Sequence, residues 1–226
     1  MLPSGSTAGP GFFVADKPGP WYAHDQWSWE WIPAVRQEEK RLVATNFKRL
    51  TDFLVGLGVA KVGHTGQSFL AHLIGVYRYM EARGCSEELC RTGMFHSIYG
   101  TELFQGYALP LDRRPDVRAL IGERAERLAY WNCAMNRASF DRVLEQAEGP
   151  YRIMDRLTGE ELCLSADDFD DLCRVHLYDW LEQVPRSKKW DYRREAYRRI
   201  AERLGGEAVE AYQRVFAAET AAASAG

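Results

Sequence analysis

The apolar positions of this chain recur mainly with the helical period. Between Ala34 and Gly56 they fall at Leu42, Val43, Phe47, Leu50, Phe53 and Leu54, the spacing of one helix face. Ser68 is a good N-cap type and opens a second helix with Phe69, Leu73, Val76, Tyr77 and Met80 on one side, closing at Gly84. Ser86 opens a third, with Glu87 and Glu88 placed to favour the positive end of the helix dipole. That helix carries Leu89, Cys90 and Met94 and reaches His96. Pro115 starts another, running to about Ala134, and a shorter one spans Arg137 to Gln146. From Tyr151 to Leu164 the pattern changes to a small hairpin turning at Gly159. Ser165 then caps a long helix with Asp167 and Asp168 in its first turn, stopped at Val184 by Pro185. Helices over Lys189–Leu204 and Glu207–Glu219 follow. The sum predicts an all-α fold, a helical bundle with one small β-hairpin.

The two ends depart from this pattern. The first twenty residues are rich in Pro and Gly, and an aromatic cluster follows at Trp21, Tyr22, Trp27, Trp29 and Trp31, with His24 and Asp25 among them. The alternation at 27, 29 and 31 predicts an extended segment. The expected organisation is an aromatic N-terminal arm over 1–33, a helical domain over 34–216 and an Ala-rich disordered tail over 217–226. The arm either covers an apolar groove of the bundle or supplies aromatic walls to a pocket.

Composition narrows the function classes. The 226 residues are 46% hydrophobic and 27% charged, which excludes a disordered or fibrous chain. A net charge of -3 argues against a nucleic-acid partner held by bulk charge. The basic stretch Arg186, Lys188, Lys189, Arg193, Arg194, Arg198 and Arg199 is diluted by Glu182, Asp191 and Glu195, and reads as a solvated helix face. Five cysteines, at 85, 90, 133, 163 and 173, do not form a disulfide framework and suit a reducing, cytoplasmic setting. No apolar run approaches the ~20 residues of a membrane span. The expected partner is a small-molecule substrate, with no membrane and no nucleic acid.

The histidines carry the candidate chemistry. His72 lies mid-helix and His96 ends the next helix, so an antiparallel pair can bring both imidazoles together. A buried histidine must be neutral and hydrogen-bonded, or bound to metal. On the long helix His176 and Asp179 share a face, with Gln183 one turn further. Two imidazoles and a carboxylate form a plausible ligand set for one divalent metal ion, Zn, Mn or Fe. Tyr99 and Thr101 flank Gly100 beside this region, and Asn132 and Asn136 lie one turn apart. All four are candidate substrate contacts, the asparagines competing with a local backbone role.

Four segments in order carry a resemblance: Ser68-Phe-Leu-Ala-His72-Leu-Ile-Gly-Val76, Gly93-Met-Phe-His96-Ser97-Ile-Tyr-Gly-Thr101, Leu120-Ile-Gly-Glu-Arg-Ala-Glu-Arg-Leu128 and Val175-His-Leu-Tyr-Asp179-Trp-Leu-Glu-Gln183. Together with the lead-in His64-Thr-Gly-Gln67, they resemble the HD-domain superfamily of metal-dependent phosphohydrolases over about residues 40 to 185, and its alarmone (guanosine tetraphosphate) hydrolase branch most nearly. The Phe-His-Ser-x-Tyr-Gly-Thr segment also resembles a narrower bacterial family of unknown function. The resemblance implies that His72, His96 and Asp179 are metal ligands, with Gln183 in place of an asparagine. Ser97 stands where the superfamily has its namesake aspartate, Gly100 and Thr101 replace the acidic pair that activates water, the basic insert before Ser68 is missing, and His176 replaces a lysine. A two-metal site is therefore not expected. The leading expectation is a metal-dependent hydrolase, with His64 and Glu102 as acid/base candidates and His176 and Gln183 among the substrate contacts. A non-haem iron oxygenase using two histidines and one carboxylate is the alternative within enzymes. A degenerate domain that only binds a ligand is the alternative outside them.

Overall fold

The computed structural model describes residues 31–224. The chain divides into two compact units, Met1–Asn46 and Phe47–Gly226, with the boundary inside the first helix, α1 (Trp31–Gly56). The described part of the first unit is the beginning of that helix. The rest of the proposed aromatic arm lies outside the described residues.

The second unit is built mainly of helices, as the periodicity predicts. Serine hydroxyls start three of them. Ser68 accepts from the Ala71 N–H at 3.1 Å and opens α2 (Phe69–Glu81). Ser86 accepts from Leu89 at 3.2 Å and opens α3 (Glu87–Phe95). Ser165 accepts from Asp168 at 3.2 Å and opens α7 (Ala166–Ser187). Each cap satisfies an N–H that the helix itself cannot, worth about 1 kcal/mol.

Elsewhere the chain departs from the expected boundaries in five places. The helix expected from Pro115 to Ala134 is two, α4 (Arg114–Ile121) and α5 (Glu123–Ala134). Gly122 separates them at φ 99° and ψ 157°, a conformation open to glycine alone. Pro185 does not end α7, which continues to Ser187 and closes on Lys188 in the left-handed region. The helix expected from Lys189 is α8 (Arg194–Leu204), because residues 189–193 form a turn with Arg193 at φ 47°. Helix α6 (Arg137–Val143) is somewhat shorter than its expected span. The last helix, α9 (Gly206–Ser224), passes through the boundary at 217 that was expected to begin a disordered tail. Its alanines are the strongest helix formers and carry it on.

Two hairpins interrupt the helices. The pair β3 (Tyr151–Met154) and β4 (Glu161–Leu164) is the hairpin expected around Gly159. The other was not expected. Strands β1 (Gly63–His64) and β2 (Gln67–Ser68) pair across Thr65 and Gly66, both at positive φ, as a tight hairpin turn requires. It delivers His64 to the start of α2.

The core is organised on α7, which packs against α2, α3, α5, α8 and α9. Phe169, Leu172, Cys173, Val175, Leu177, Leu181 and Val184 are all buried, so this helix is covered nearly all round. His72, His96, His176 and Asp179 are buried in the same interior. None of the helices in the described residues is long and apolar enough to cross a membrane.

Candidate metal centre

Three helices meet at one point. His72 comes from the middle of α2, His96 from the C-cap of α3 and Asp179 from α7, at 0%, 1% and 6% exposure. The two Nε2 atoms are 3.4 Å apart, and each lies 3.2 Å from Asp179 Oδ1. Among the described residues these three are the group whose donor atoms all lie within 4.8 Å of one another.

The outer nitrogens decide what the inner ones carry. His96 Nδ1 is 2.7 Å from the Gly93 carbonyl, which only accepts, so that nitrogen holds a hydrogen. His72 Nδ1 is 2.8 Å from Glu182 Oε2 and donates to it. When the rings are neutral, each therefore turns an unshared pair on Nε2 towards the centre. The third atom there is a carboxylate oxygen. In that state three acceptors converge in a buried space, and either a proton on His72 Nε2 or a bound cation would relieve them.

Glu182 was not anticipated among the site residues. It lies three residues after Asp179, and its carboxylate ties His72 to Arg186, whose Nη2 donates to Oε2 at 2.7 Å. Its place depends on Gly75 in α2: a Cβ built there would lie 2.5 Å from Glu182 Oε1. Gln183 donates to Asp179 Oδ1 at 2.9 Å and accepts from the Thr65 hydroxyl at 3.3 Å, which ties α7 to the β1–β2 turn. Asn132 donates to the His96 carbonyl at 2.8 Å.

Protonation follows this geometry. Burial opposes charge on His72, but hydrogen bonds to Asp179 and Glu182 outweigh it and raise its pKa to about 9. Asp179 is opposed by burial too, yet the charge of His96 and the hydrogen bonds from both histidines hold it well below its usual value. Glu182 is likewise lowered, against burial, by His72 and Arg186. His64 is driven down to about 4, first by burial and then by the charge of His72. The centre is thus built to hold positive charge.

A pH dependence follows with definite sign. A raised histidine stabilises the fold below its unfolded value of about 6.5, and that contribution is lost as pH rises through about 9. The lowered Asp179 contributes above its ordinary value and loses its effect only as pH falls through its depressed one. Chelator-treated protein should therefore melt at steadily lower temperature from pH 6.5 to 9. Saturating Mn²⁺ or Zn²⁺ should flatten that slope, because ligand histidines bind metal in the neutral form. Thermal melts over this range check it, and identical slopes with and without metal would count against a cation at this point.

A cleft of about 720 Å³ opens onto the centre, with His64, His96, Ser97, Thr101, Asp179 and Gln183 among its lining residues. His64 stacks on His72 with ring centroids 4.3 Å apart and meets Phe104 edge-on. Ser97, in the aspartate position of the resemblance, is buried, and its hydroxyl has no partner.

Several expected contacts are placed elsewhere. Glu102 is exposed, and its carboxylate accepts from the Arg137 backbone N–H at 2.9 Å instead of facing the centre. Tyr99 is buried and donates to Glu126 at 2.9 Å, in a network completed by Arg114. Asn136 caps α6 through the Ser139 N–H, which is the local backbone role. Asn132 supports His96 from behind. His176 is enclosed, with Arg193 donating to Nε2 at 2.8 Å and burial holding the ring neutral. None of these five lines the cleft, whereas Thr101 and Gln183 do.

The basic stretch also divides. Arg198 and Arg199 pair with Glu195 on the surface, as expected of a solvated face. Arg193 turns inward to Asp141 and His176, and Arg186 and Lys189 face the cleft.

Residues 53–137 match a family model described as a domain of unknown function (DUF6817). The match is less than half of the chain. It takes in α2 and α3, with His64, His72 and His96, and ends before the helix that carries Asp179. No curated protein and no solved structure matches this chain.

Proposed function

We propose that His72, His96 and Asp179 hold one divalent metal ion, and that the protein is a metal-dependent hydrolase of a small molecule, of the phosphoester type. The observation that carries the reading is the convergence of two Nε2 atoms and a carboxylate oxygen, with both Nδ1 atoms committed as donors. Ser97 in place of a carboxylate limits the set to three donors, which suits one ion with positions left open. A divalent ion held there supplies a water of lowered pKa and an electrophile for a substrate oxygen.

The chain's own groups have distinct tasks around it. Glu182 and the Gly93 carbonyl fix the ring orientations of His72 and His96. Gln183 holds Asp179 Oδ1 from the cleft side. His64, neutral at neutral pH, offers a ring nitrogen for accepting or returning a proton during hydrolysis. Phe104 and the β1–β2 turn wall this end of the cleft.

The same donor set, two histidines and one carboxylate, also suits a non-haem iron oxygenase. Metal analysis separates the readings. The hydrolase should purify with about one equivalent of Mn or Zn and release phosphate from members of a phosphoester panel, and His72→Ala should lose both. Iron with oxygen-dependent turnover would favour the oxygenase. A wild-type protein without transition metal, unchanged by His72→Ala, would leave a binding domain.

A further inference from the structure

Beyond the metal centre, the cleft changes character. Its other end is formed by the last turns of α7, the 189–193 turn and the start of α6, and it contributes Arg137, Arg186 and Lys189. Asp179, at the centre, is the one carboxylate among the lining residues. Arg186 is neutralised by Glu182. Arg137 and Lys189 form no ion pair among the described residues. The half-buried Arg137 donates instead to the Tyr192 hydroxyl at 2.6 Å, and Glu102 engages its backbone N–H, not its guanidinium. A half-buried guanidinium without a counter-ion is costly, and an anion from outside would remove that cost.

The walls here are aromatic. Trp180 stacks on Tyr197 with centroids 5.2 Å apart and an interplanar angle of 6°, and Tyr192 packs against its ring at 5.2 Å. All three line the cleft. The Trp180 indole N–H is buried and has no partner. Along α7, seven residues separate Asp179 from Arg186, a rise of about 10 Å. Lys189 follows three residues later, beyond the end of α7, so that cation is set apart from the three-ligand centre.

We propose that this end of the cleft is a subsite for an oxyanion, a phosphate or carboxylate group, on a ligand with a planar apolar body. Arg137 and Lys189 hold the charged group, and Tyr192 holds the body, backed by the largely buried Trp180. This inference deepens the reading of the cleft as a substrate site and rests on it only for what happens at the metal centre. The cations come from α6 and from the turn after α7.

The test is direct binding of phenyl phosphate, phenylacetate and phenol by calorimetry, in the full-length protein. Both anions should bind saturably, more tightly than phenol, and their ratio distinguishes phosphate from carboxylate. A double variant, Arg137→Met with Lys189→Glu, should weaken the anions about tenfold or more, since each loses charge-assisted hydrogen bonds. Phenol should be unaffected, and an unchanged thermal midpoint and helical signal would establish that the variant folds. His72→Ala should keep anion binding within about threefold. Unchanged binding in the double variant, phenol binding as well as the anions, or no saturable binding of any probe would overturn the subsite. Loss of binding in His72→Ala alone would place the anion at the metal centre and overturn the subsite too, while leaving the hydrolase reading intact. A wild type free of metal whose anion binding still depends on Arg137 and Lys189 would do the reverse.

Discussion

Exchanging Asp179 for asparagine should remove metal-dependent stabilisation and lower the stability of the metal-free protein at neutral pH, where the Asp179 carboxylate supports the charge on His72. In the wild type, an ion at one hundred times its dissociation constant contributes about 2.7 kcal/mol. For a chain of this length that is a rise of about 5–10 °C in thermal midpoint, reversed by chelator. Asparagine keeps the shape of Asp179 but loses the charge, and its carbonyl is a poor ligand beside two neutral imidazoles. Affinity should fall by more than about 100-fold, beyond the cost of losing a supporting hydrogen bond behind a ligand. In the metal-free fold the new amide N–H can donate to one Nε2, which offsets part of that loss. Alanine offers no such donor and should destabilise the metal-free protein further. Melts of the wild type and both variants, with Zn²⁺ or with chelator, read all of these outcomes. An asparagine variant that keeps the metal-dependent rise would show that Asp179 is not a ligand.

The second large effect is expected from Gly75→Ala, in a helix that contributes only one of the proposed ligands. Alanine at a mid-helix glycine is ordinarily worth about 1 kcal/mol of added stability. Here its methyl would sit 2.5 Å from Glu182 Oε1. That oxygen is the end of a flexible side chain and can move, so the steric cost is modest. What moves with it is the hydrogen bond to His72 Nδ1 and the tie to Arg186. Stability should therefore change little, while metal affinity falls about 10–100-fold. Competition with a chromophoric chelator measures it. In a Glu182→Ala background the same substitution should have no effect on affinity, since the partner it displaces is gone. A full effect in that background would mean that Gly75 acts by another route.

The grouping of His72, His96 and Asp179 was legible because helix periodicity and the order of the four segments act at the level of the chain itself. Much of the helical framework was legible for the same reason: Ser68, Ser86 and Ser165 announce their helices by a local hydrogen bond. Glu182 was not legible, because its importance depends on a glycine in another helix. Nothing in the spacing of α7 distinguishes it from a solvent-facing glutamate. Tyr99, Asn132 and His176 carry polar groups that sequence cannot assign to a cleft or to the interior, and each found its partner across the fold. Arg137 and Lys189 belong to stretches whose charges look locally balanced. Only the contacts of α6 with the turn after α7, Arg137 to Tyr192 and Asp141 to Arg193, show which of those cations go without a counter-ion. Gly122 hid a helix break for a related reason, since a glycine inside a periodic run is compatible with either outcome.

Helix α7 carries Asp179, Glu182, Gln183 and Arg186 at intervals of three, one and three residues. That is the stripe a buried helix normally fills with apolar side chains. Here it is occupied by groups that need partners, and each has one from α2, α3, the β1–β2 turn or its own neighbours. A lineage that abandoned the chemistry could not simply drop one of them. The loss of Asp179 alone would take from two imidazoles the partner they share, and the loss of His72 would leave Glu182 with Arg186 alone beside a glycine too small to fill the gap. Decay of the site should therefore leave a recognisable trail, with the polar stripe replaced as a block and Gly75 enlarged alongside it. A descendant that retains Gly75 together with the four polar residues of α7 would be expected to have kept its centre in use.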